Sequence, residues 1–194
     1  MYSDRVFIFD KLKIQVYYLK KFIRMGGYHE DENAVTLVDN STGVLSRIAG
    51  LFSRRAYNID SLTVGVTADP KYSRMTVVAS GDDQVLEQIT KQLKKLVDVR
   101  DIKVLTAENS VQRELMLVKV KAGAAERQGV ISIVNIFRGS IIDISAESLT
   151  VEAIGARSKL EAFLEMLKDY EVLELARTGV TGLTRGTDQV TYLD

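Results

Sequence analysis

One order of hydrophobic periodicities occurs twice in the chain, and it constrains the fold more than any other feature. In residues 34–105, short runs that favour strands alternate with two stretches whose apolar residues recur at helical spacing. The order is strand, helix, strand, strand, helix, strand, and it is repeated in residues 115–176. Such a unit folds into a four-stranded antiparallel sheet with two helices on one face. We therefore predict an α+β protein with two tandem ferredoxin-like βαββαβ domains.

In the first unit, strands are predicted at residues 34–38, 59–66, 73–80 and 99–105. Between them, apolar residues at i, i+3, i+4 and i+7 mark the buried faces of two helices. These faces consist of Leu45, Ile48, Ala49 and Phe52 in the first helix, and of Leu86, Ile89, Leu93, Leu96 and Val97 in the second.

The second unit opens with a strand that includes Leu115, Leu117 and Val120, and further strands are predicted at 141–145, 149–154 and 172–176. Ser158 and Glu161 have the spacing of a capping box that starts the second helix. The predicted helix faces are Val130, Ile133, Val134 and Phe137, and Leu160, Phe163, Leu164 and Leu167. After the last strand, the glycines Gly179, Gly182 and Gly186 predict a flexible tail.

Domain boundaries follow from a polar connector at residues 106–113. The predicted organisation is an N-terminal extension at 1–33, a first domain at 34–106 and a second domain at 113–186. Each small domain leaves one sheet face uncovered, so we expect that face or a sheet edge to pair with another copy of the chain.

The N-terminal extension is basic and aromatic, with six Lys or Arg against two Asp in residues 1–27. Its apolar runs are too short to span a bilayer, and it has no secretory signal, so we expect a cytoplasmic protein, or a stromal one in a photosynthetic eukaryote. Three interpretations of the segment stay open: a membrane-surface helix, a plain extension, or a true start at Met25.

Composition excludes several functional classes. The chain has no Cys and one His, His29, which excludes disulfides, thiolate nucleophiles and paired-His metal sites. The 26 basic and 26 acidic residues balance, whereas a general nucleic-acid binder carries a basic surface. No phosphate-binding glycine loop or distinctive carboxylate pair is present, so we predict no catalytic residue, no metal site and no cofactor on this chain. An acylphosphatase-like hydrolase has the same βαββαβ order, but it needs an Arg in the first turn, and here the first Arg after that turn is Arg47.

The turn between the first strand and the first helix, residues 39–45, is the most informative candidate site. A helix begins there, and the unpaired amides at such an end attract anions. Gly43 allows a carboxylate to approach the backbone, where the amides of Gly43, Val44 and Leu45 could donate to it. Asn40 offers both a donor and an acceptor, which suits the charged groups of an amino acid. Asn, Ser and Thr before a helix are also ordinary caps, so helix capping is the alternative reading.

Several stretches of the sequence match one known family, in order and at the family's spacing. In the first unit they are residues 43–64 (GVLSRIAGLFSRRAYNIDSLTV), 73–77 (SRMTV) and 87–96 (EQITKQLKKL). In the second unit they are residues 113–120 (RELMLVKV), 136–143 (IFRGSIID) and 176–179 (ARTG). Through these stretches the chain resembles the small, regulatory subunit of acetolactate synthase, also called acetohydroxyacid synthase. The first unit looks like an ACT domain, an amino-acid-sensing module.

This resemblance implies a homodimer that forms through the ACT domains and binds valine at their interface. Asn40, Gly43 and Asn58 match the family's effector site, and the asparagines would hold the polar head of the amino acid. Leu45, Ile59 and Val64 would line the apolar pocket. The chain departs from the family at Ser41-Thr42, where relatives often have an acidic residue or proline, and at Ala56, where Gly is usual.

The resemblance also implies a function without catalysis by this chain. The chain would bind and activate a separate catalytic large subunit that carries thiamine diphosphate, Mg and FAD and condenses two 2-oxo acids. It would confer feedback inhibition by valine in branched-chain amino acid biosynthesis. The alternative is a free-standing ACT-domain sensor that acts on another enzyme or a transcription factor.

Overall fold

The computed structural model describes residues 33–80 and 83–187 of the 194. The first domain contains β1 (Asn33–Asp39), α1 (Val44–Arg54), β2 (Ser61–Val66), β3 (Tyr72–Val78), α2 (Asp83–Leu93) and β4 (Val99–Leu105). The second contains β5 (Ser110–Lys121), α3 (Arg127–Ile136), β6 (Ser140–Ile144), β7 (Ser148–Gly155), α4 (Arg157–Met166), β8 (Val172–Arg177) and β9 (Thr181–Thr184). The prediction of an α+β protein built from two ferredoxin-like units is confirmed. Residues 1–32 of the predicted N-terminal extension, including Met25 and His29, lie outside the described residues, whereas Asn33 begins β1.

Each domain consists of an antiparallel sheet with two helices on one face. The first sheet has the order β2-β3-β1-β4, and the second has the order β6-β7-β5-β8. In the first domain, the helices and sheet enclose a core around Phe52, Met75 and Leu93. In the second, the core surrounds Phe163, Val118 and Val151. Both cores form because apolar residues alternate on the strands and recur every three or four residues on the helices.

The predicted helix faces were largely correct. In the second domain, Val130, Ile133 and Val134 are buried, as are Leu160, Phe163, Leu164 and Leu167. The face of α1 is rotated from the prediction, since its buried residues are Val44, Ile48, Leu51 and Phe52, while Leu45 is exposed. Helix α2 ends at Leu93, so Leu96 and Val97 follow the helix, and Val97 is exposed.

Two predictions about where elements begin were wrong. No side-chain cap begins α4, whose N-cap residue is Ala156. Ser158 lies inside the helix, and Glu161 instead accepts a hydrogen bond from Arg157 Nε at 3.0 Å. The connector is also shorter than predicted, because β5 starts at Ser110.

The predicted flexible tail is a strand. β9 pairs with the first four residues of β5, from Ser110 opposite Thr184 to Arg113 opposite Thr181. Gly179, with φ +83°, provides the left-handed backbone between β8 and β9. The tail was predicted from its glycines, whereas the pairing partner lies about seventy residues earlier in the chain, so no local signal revealed the strand.

The segment around β9 covers part of the open face of the first sheet. The Val180 amide donates to Ser61 Oγ at 3.0 Å, and Thr63 Oγ1 donates to the Val180 carbonyl at 2.8 Å. Val180 itself is buried, as are Val78 and Leu105 on the sheet. The chain therefore covers part of this face with its own C-terminal segment.

Candidate functional site

The turn before α1 has an unusual backbone at Gly43. This residue is the N-cap of α1 and adopts the left-handed conformation, with φ 89° and ψ −8°. A Cβ at this position would lie 3.1 Å from Nη1 of Arg47. A side chain at residue 43 would therefore be strained by the backbone and crowded by the arginine, which leaves glycine as the residue that fits.

The first turn of α1 leaves amide groups open. No side chain caps the helix, the Val44 amide donates to the Ser41 carbonyl at 3.4 Å, and the Arg47 amide donates to the Gly43 carbonyl at 2.9 Å. Within residues 33–80 and 83–187, no group accepts a hydrogen bond from the amides of Gly43, Leu45 or Ser46. Since unpaired amides at a helix start carry partial positive charge, the turn is suited to an anionic group such as a carboxylate.

Two bidentate ion pairs surround this turn. Arg47 donates to Asp98 through Nε at 2.7 Å and Nη2 at 2.8 Å. Arg100 donates to Asp39 through Nε at 2.7 Å and Nη2 at 2.5 Å. The hydrogen bonds from Arg47 lower the pKa of Asp98, although burial partly opposes the shift. No local pattern indicates these pairs, because their members are 51 and 61 residues apart in the sequence.

Asn40 lies just beyond β1 and is exposed. Its Nδ2 donates to the Pro70 carbonyl at 2.9 Å, and its backbone amide donates to the Lys71 carbonyl at 2.7 Å. A carbonyl oxygen can only accept, so this contact fixes the orientation of the carboxamide. Oδ1 of Asn40 consequently faces away from Pro70 and is available to accept a hydrogen bond.

Asn58 lies before β2 and is oriented in a comparable way. Its Nδ2 donates to Oδ1 of Asp60, whose other oxygen accepts a hydrogen bond from Ser80 Oγ. The backbone amide of Asp60 donates to the Val78 carbonyl at 2.9 Å, which fixes Asp60 to β3. Because an ionised carboxylate only accepts, Asn58 must present its amide nitrogen to Asp60 and its Oδ1 elsewhere.

Within one chain, the two asparagines lie at opposite ends of the first sheet. Ser61, three residues after Asn58, is level with Asn33 at the start of β1, since both are opposite Val78. Asn40 lies seven residues beyond Asn33, which corresponds to roughly 23 Å along a strand. A single domain therefore does not bring Asn40 and Asn58 together.

The apolar residues predicted for the site fall into two groups. Leu45 and Val64 are about half exposed, at 47% and 48% of their surface. Ile59 packs against the first core, and Val44 is buried there, so Val44 offers only its backbone to a ligand. Val66, which the sequence analysis did not select, is 61% exposed at the end of β2 nearest to Asn40.

The described residues contain no cluster of three His, Asp or Glu side chains that could hold a metal ion. Among these same residues, no helix is long and apolar enough to cross a membrane.

Comparison with known proteins identifies the family. The family model for the small subunit of acetolactate synthase matches residues 113–186, and the model for the AHAS small subunit-like ACT domain matches residues 35–101. A probable acetolactate synthase small subunit from Methanothermobacter thermautotrophicus is 51% identical over 152 residues, which are 78% of this chain and 90% of the relative. The acetolactate synthase isozyme 3 small subunit from Salmonella typhimurium is 51% identical over 151 residues, which are 77% of this chain and 93% of the relative.

A solved structure agrees with these relatives. The crystal structure of the acetolactate synthase small subunit from Thermotoga maritima is 41% identical and superimposes with a TM-score of 0.75, covering 82% of this chain and 100% of that one. Chain and relative thus share sequence and fold over both domains. The chain belongs to the family of small, regulatory subunits of acetolactate synthase, a transferase whose catalytic activity lies in the large subunit.

Proposed function

We propose that this chain binds and activates the catalytic large subunit of acetolactate synthase and makes it subject to feedback inhibition by valine. Thiamine diphosphate, Mg and FAD are then cofactors of the large subunit, and this chain carries none. Its role is to sense the end product of branched-chain amino acid biosynthesis in the cytoplasm, or in the plastid stroma of a photosynthetic eukaryote, and to change the rate of its partner. Leucine and isoleucine have the same charged groups as valine, so the choice among them depends on the apolar pocket.

The turn at Gly43 is the observation that carries the proposal. Its open amides at Gly43, Leu45 and Ser46 are placed to receive the carboxylate of an amino acid. Oδ1 of Asn40 lies at the same turn and can accept a hydrogen bond from the ammonium group. Leu45, exposed on the first turn of α1, offers apolar surface to an aliphatic side chain.

A second copy of the chain completes the site in this proposal. Asn40 and Asn58 are too far apart to hold one amino acid within a single chain. β2 is an edge strand whose last three residues are exposed, and it can pair with another strand. Antiparallel pairing of β2 with β2 of a second copy places the start of one strand beside the end of the other. Asn58 of one copy then lies near Asn40 of its partner.

The C-terminal segment supports pairing through this edge. Val180 and the residues around it occupy part of the open face of the first sheet, through hydrogen bonds to Ser61 and Thr63. A second copy cannot use the covered area. The exposed edge at Val64, Gly65 and Val66 is free of such a cover within the described residues and is therefore the surface that we assign to the homodimer.

The effector site is tested by Asn40→Ala and Gly43→Asp. Both variants should lose inhibition by valine and still activate the large subunit, because the first removes an acceptor and the second places a negative charge where the carboxylate binds. Asn135→Ala, an exposed asparagine on α3, is the matched control and should behave like the unmodified chain. Unchanged valine inhibition in both site variants would refute the assignment.

Mixing two inactive variants tests whether the site is shared between copies. Asn40→Ala and Asn58→Ala should each abolish valine binding. When they are mixed and allowed to exchange, half of the dimers are mixed and each has one intact site, so about a quarter of the original sites should return. Calorimetry counts these sites. A site formed within one chain would give no recovery, and that result would contradict the shared site.

Regulation itself is tested by reciprocal coupling. If valine and the large subunit affect each other's equilibrium binding, valine affinity must change when the large subunit is added, typically by about 1–3 kcal/mol. Equal affinities with and without the large subunit would exclude equilibrium coupling. Failure to copurify with or activate a thiamine-dependent large subunit would instead favour a free-standing ACT-domain sensor.

A further inference from the structure

We propose that Asp60 makes the effector site selective for an α-ammonium group, so that the site binds amino acids and rejects 2-oxo acids with the same side chain. This inference rests on the proposed effector site and adds a residue that determines its specificity. This selectivity is relevant to function because the large subunit of this family condenses 2-oxo acids. A regulator that bound 2-oxo acids as well as amino acids would respond to the substrate class as well as to the end product.

Asp60 acts first through the orientation of Asn58. Nδ2 of Asn58 donates to Oδ1 of Asp60, and an ionised carboxylate cannot donate in return. The carboxamide is therefore fixed with Oδ1 directed away from Asp60. Without the carboxylate, the amide could rotate and present either its oxygen or its nitrogen to the ligand.

Asp60 is itself held in place by two further contacts. Ser80 Oγ donates to Oδ2 of Asp60, and the Asp60 amide donates to the Val78 carbonyl at 2.9 Å. Val78 is the last residue of β3, a central strand of the sheet, and Ser80 follows it by two residues. The orientation of Asn58 is thus determined by the sheet as well as by the loop before β2.

Both asparagines of the site then present acceptors. Asn40 is fixed by the Pro70 carbonyl and Asn58 by Asp60, and in each case Oδ1 is the atom left for the ligand. An ammonium group supplies three donors and matches two such oxygens. The oxygen of a 2-oxo acid at the same place is an acceptor, so it would face two acceptors without a hydrogen bond.

Charge acts in the same direction. Asp60 adds a negative charge two residues from Asn58, whereas the opposite side of the site is formed by the open amides at the start of α1, beside which Asp98 balances the charge of Arg47. A zwitterion matches both sides, with its carboxylate at α1 and its ammonium toward Asp60. A 2-oxo acid brings one negative charge and no positive charge, and it gains nothing on the Asp60 side.

The test compares two ligands, valine and the 2-oxo acid with the same side chain, by calorimetry on the full chain. Asp60→Ala should weaken valine binding by about tenfold, as expected when a hydrogen-bonded charged group is removed. Affinity for the 2-oxo acid should not fall, so the ratio between the two ligands should narrow. Glu87→Ala is the matched control, because it removes an exposed carboxylate of the same domain, paired with Lys91 on α2.

The outcomes separate this inference from the proposed function. If Asn40→Ala and Asn58→Ala abolish valine binding but Asp60→Ala does not weaken it, the role of Asp60 is refuted and the site stands. If both ligands weaken by the same factor, Asp60 only maintains the loop, which also refutes its role in specificity. If Asn40→Ala and Asn58→Ala bind valine normally, the effector site itself is wrong.

If Asp60→Ala lowers the melting temperature, Asp60→Asn provides a second test of how the Asp60 charge affects selectivity. It keeps one oxygen to accept from Asn58 and removes the charge. We expect valine binding that is weaker than in the unmodified chain and a narrower ratio between valine and the 2-oxo acid. An unchanged ratio in a folded Asp60→Asn dimer would overturn the contribution of charge to selectivity.

Discussion

Replacement of Gly182 by alanine tests how the C-terminal strand β9 packs against the first domain. Gly182 is buried, and its amide lies 3.4 Å from Oγ1 of Thr76 on β3. An added Cβ would lie 2.3 Å from Cδ1 of Leu105, well inside the 3.0 Å limit for contacts of real Cβ atoms. Leu105 is only 1% exposed, so its side chain has little room to move aside. β9, or the part of the first sheet beneath it, must therefore shift.

The expected loss follows from two opposing terms. Overpacking a closely packed site costs about 1–3 kcal/mol. Alanine also restricts the unfolded chain more than glycine does, which offsets about 0.4–1 kcal/mol. The net decrease in the free energy of unfolding should be about 1–2 kcal/mol. Backbone strain adds nothing, because Gly182 is not among the glycines with positive φ.

Urea unfolding measures the loss, and hydrogen exchange locates it. Amides in residues 110–113 should exchange faster in Gly182→Ala, since these residues pair with β9. Gly123→Ala is the control, because a Cβ there meets Glu147 Oε2 at an ordinary 3.7 Å and should cause no comparable loss.

A double variant decides whether the contact with Leu105 is the cause. In a Leu105→Ala background the crowding atom is absent, so Gly182→Ala should cost little. Equal stability of Gly182→Ala and the unmodified chain would refute the packing of β9 on the sheet. The same loss in both backgrounds would refute Leu105 as its source.

Two further predictions concern the first domain. Ala56 has φ 55°, a conformation that costs a residue with a Cβ about 1–2 kcal/mol. Ala56→Gly should raise the urea midpoint, because this strain exceeds the roughly 0.4–1 kcal/mol by which the freedom of glycine stabilises the unfolded chain. An unchanged or lower midpoint would contradict the strain. The pKa of Asp98 is lowered because Arg47 donates hydrogen bonds to its carboxylate. The Asp98 carboxylate therefore stabilises the folded chain fully above its unfolded pKa of about 3.9, and this stabilisation is lost as the pH falls through the lower folded pKa. The difference in free energy of unfolding between the unmodified chain and Asp98→Asn should therefore be constant near neutral pH and shrink below about pH 4. Urea titrations at several pH values measure it, and a difference that does not depend on pH would contradict the Arg47–Asp98 pairing.

The order of helices and strands could be predicted because it depends on local periodicity. On β7, Leu149, Val151 and Ala153 alternate with polar residues and are all buried. On α4, Leu160 and Phe163 recur at helical spacing and are buried as well. In these elements the residues that form the core are close in sequence, so a short window contains the whole signal.

Features that depend on distant partners could not be predicted. β9 forms because residues 181–184 meet residues 110–113, and its glycines alone indicated a tail. The predicted capping box failed for a local reason, because Arg157, four residues before Glu161, pairs with the glutamate that the motif required at the helix start. A motif of two residues cannot show which other partner competes for them.

The candidate site was predictable in part. Asn40 and Gly43 were selected because a turn before a helix leaves amides unpaired, and the left-handed backbone of Gly43 agrees with the need for glycine. Arg47 and Asp60 were missed because their significance comes from contacts with Asp98 and with Asn58 and Ser80. The sequence shows none of these contacts. The acidic residue two positions after Asn58 could only have suggested that a hydrogen bond orients the side chain of Asn58.

Strand β2 connects the proposed effector site to the second domain. Regulation requires that the effector change a contact away from its own site. Asn58 immediately precedes β2, while Ser61 and Thr63 on β2 hydrogen-bond to Val180 of the second domain. Because Val180 is buried and both its amide and its carbonyl are paired, a displacement of β2 must break these bonds or move β9 with it. An effector that moves Asn58 can thus alter the contact between the domains without touching the second one.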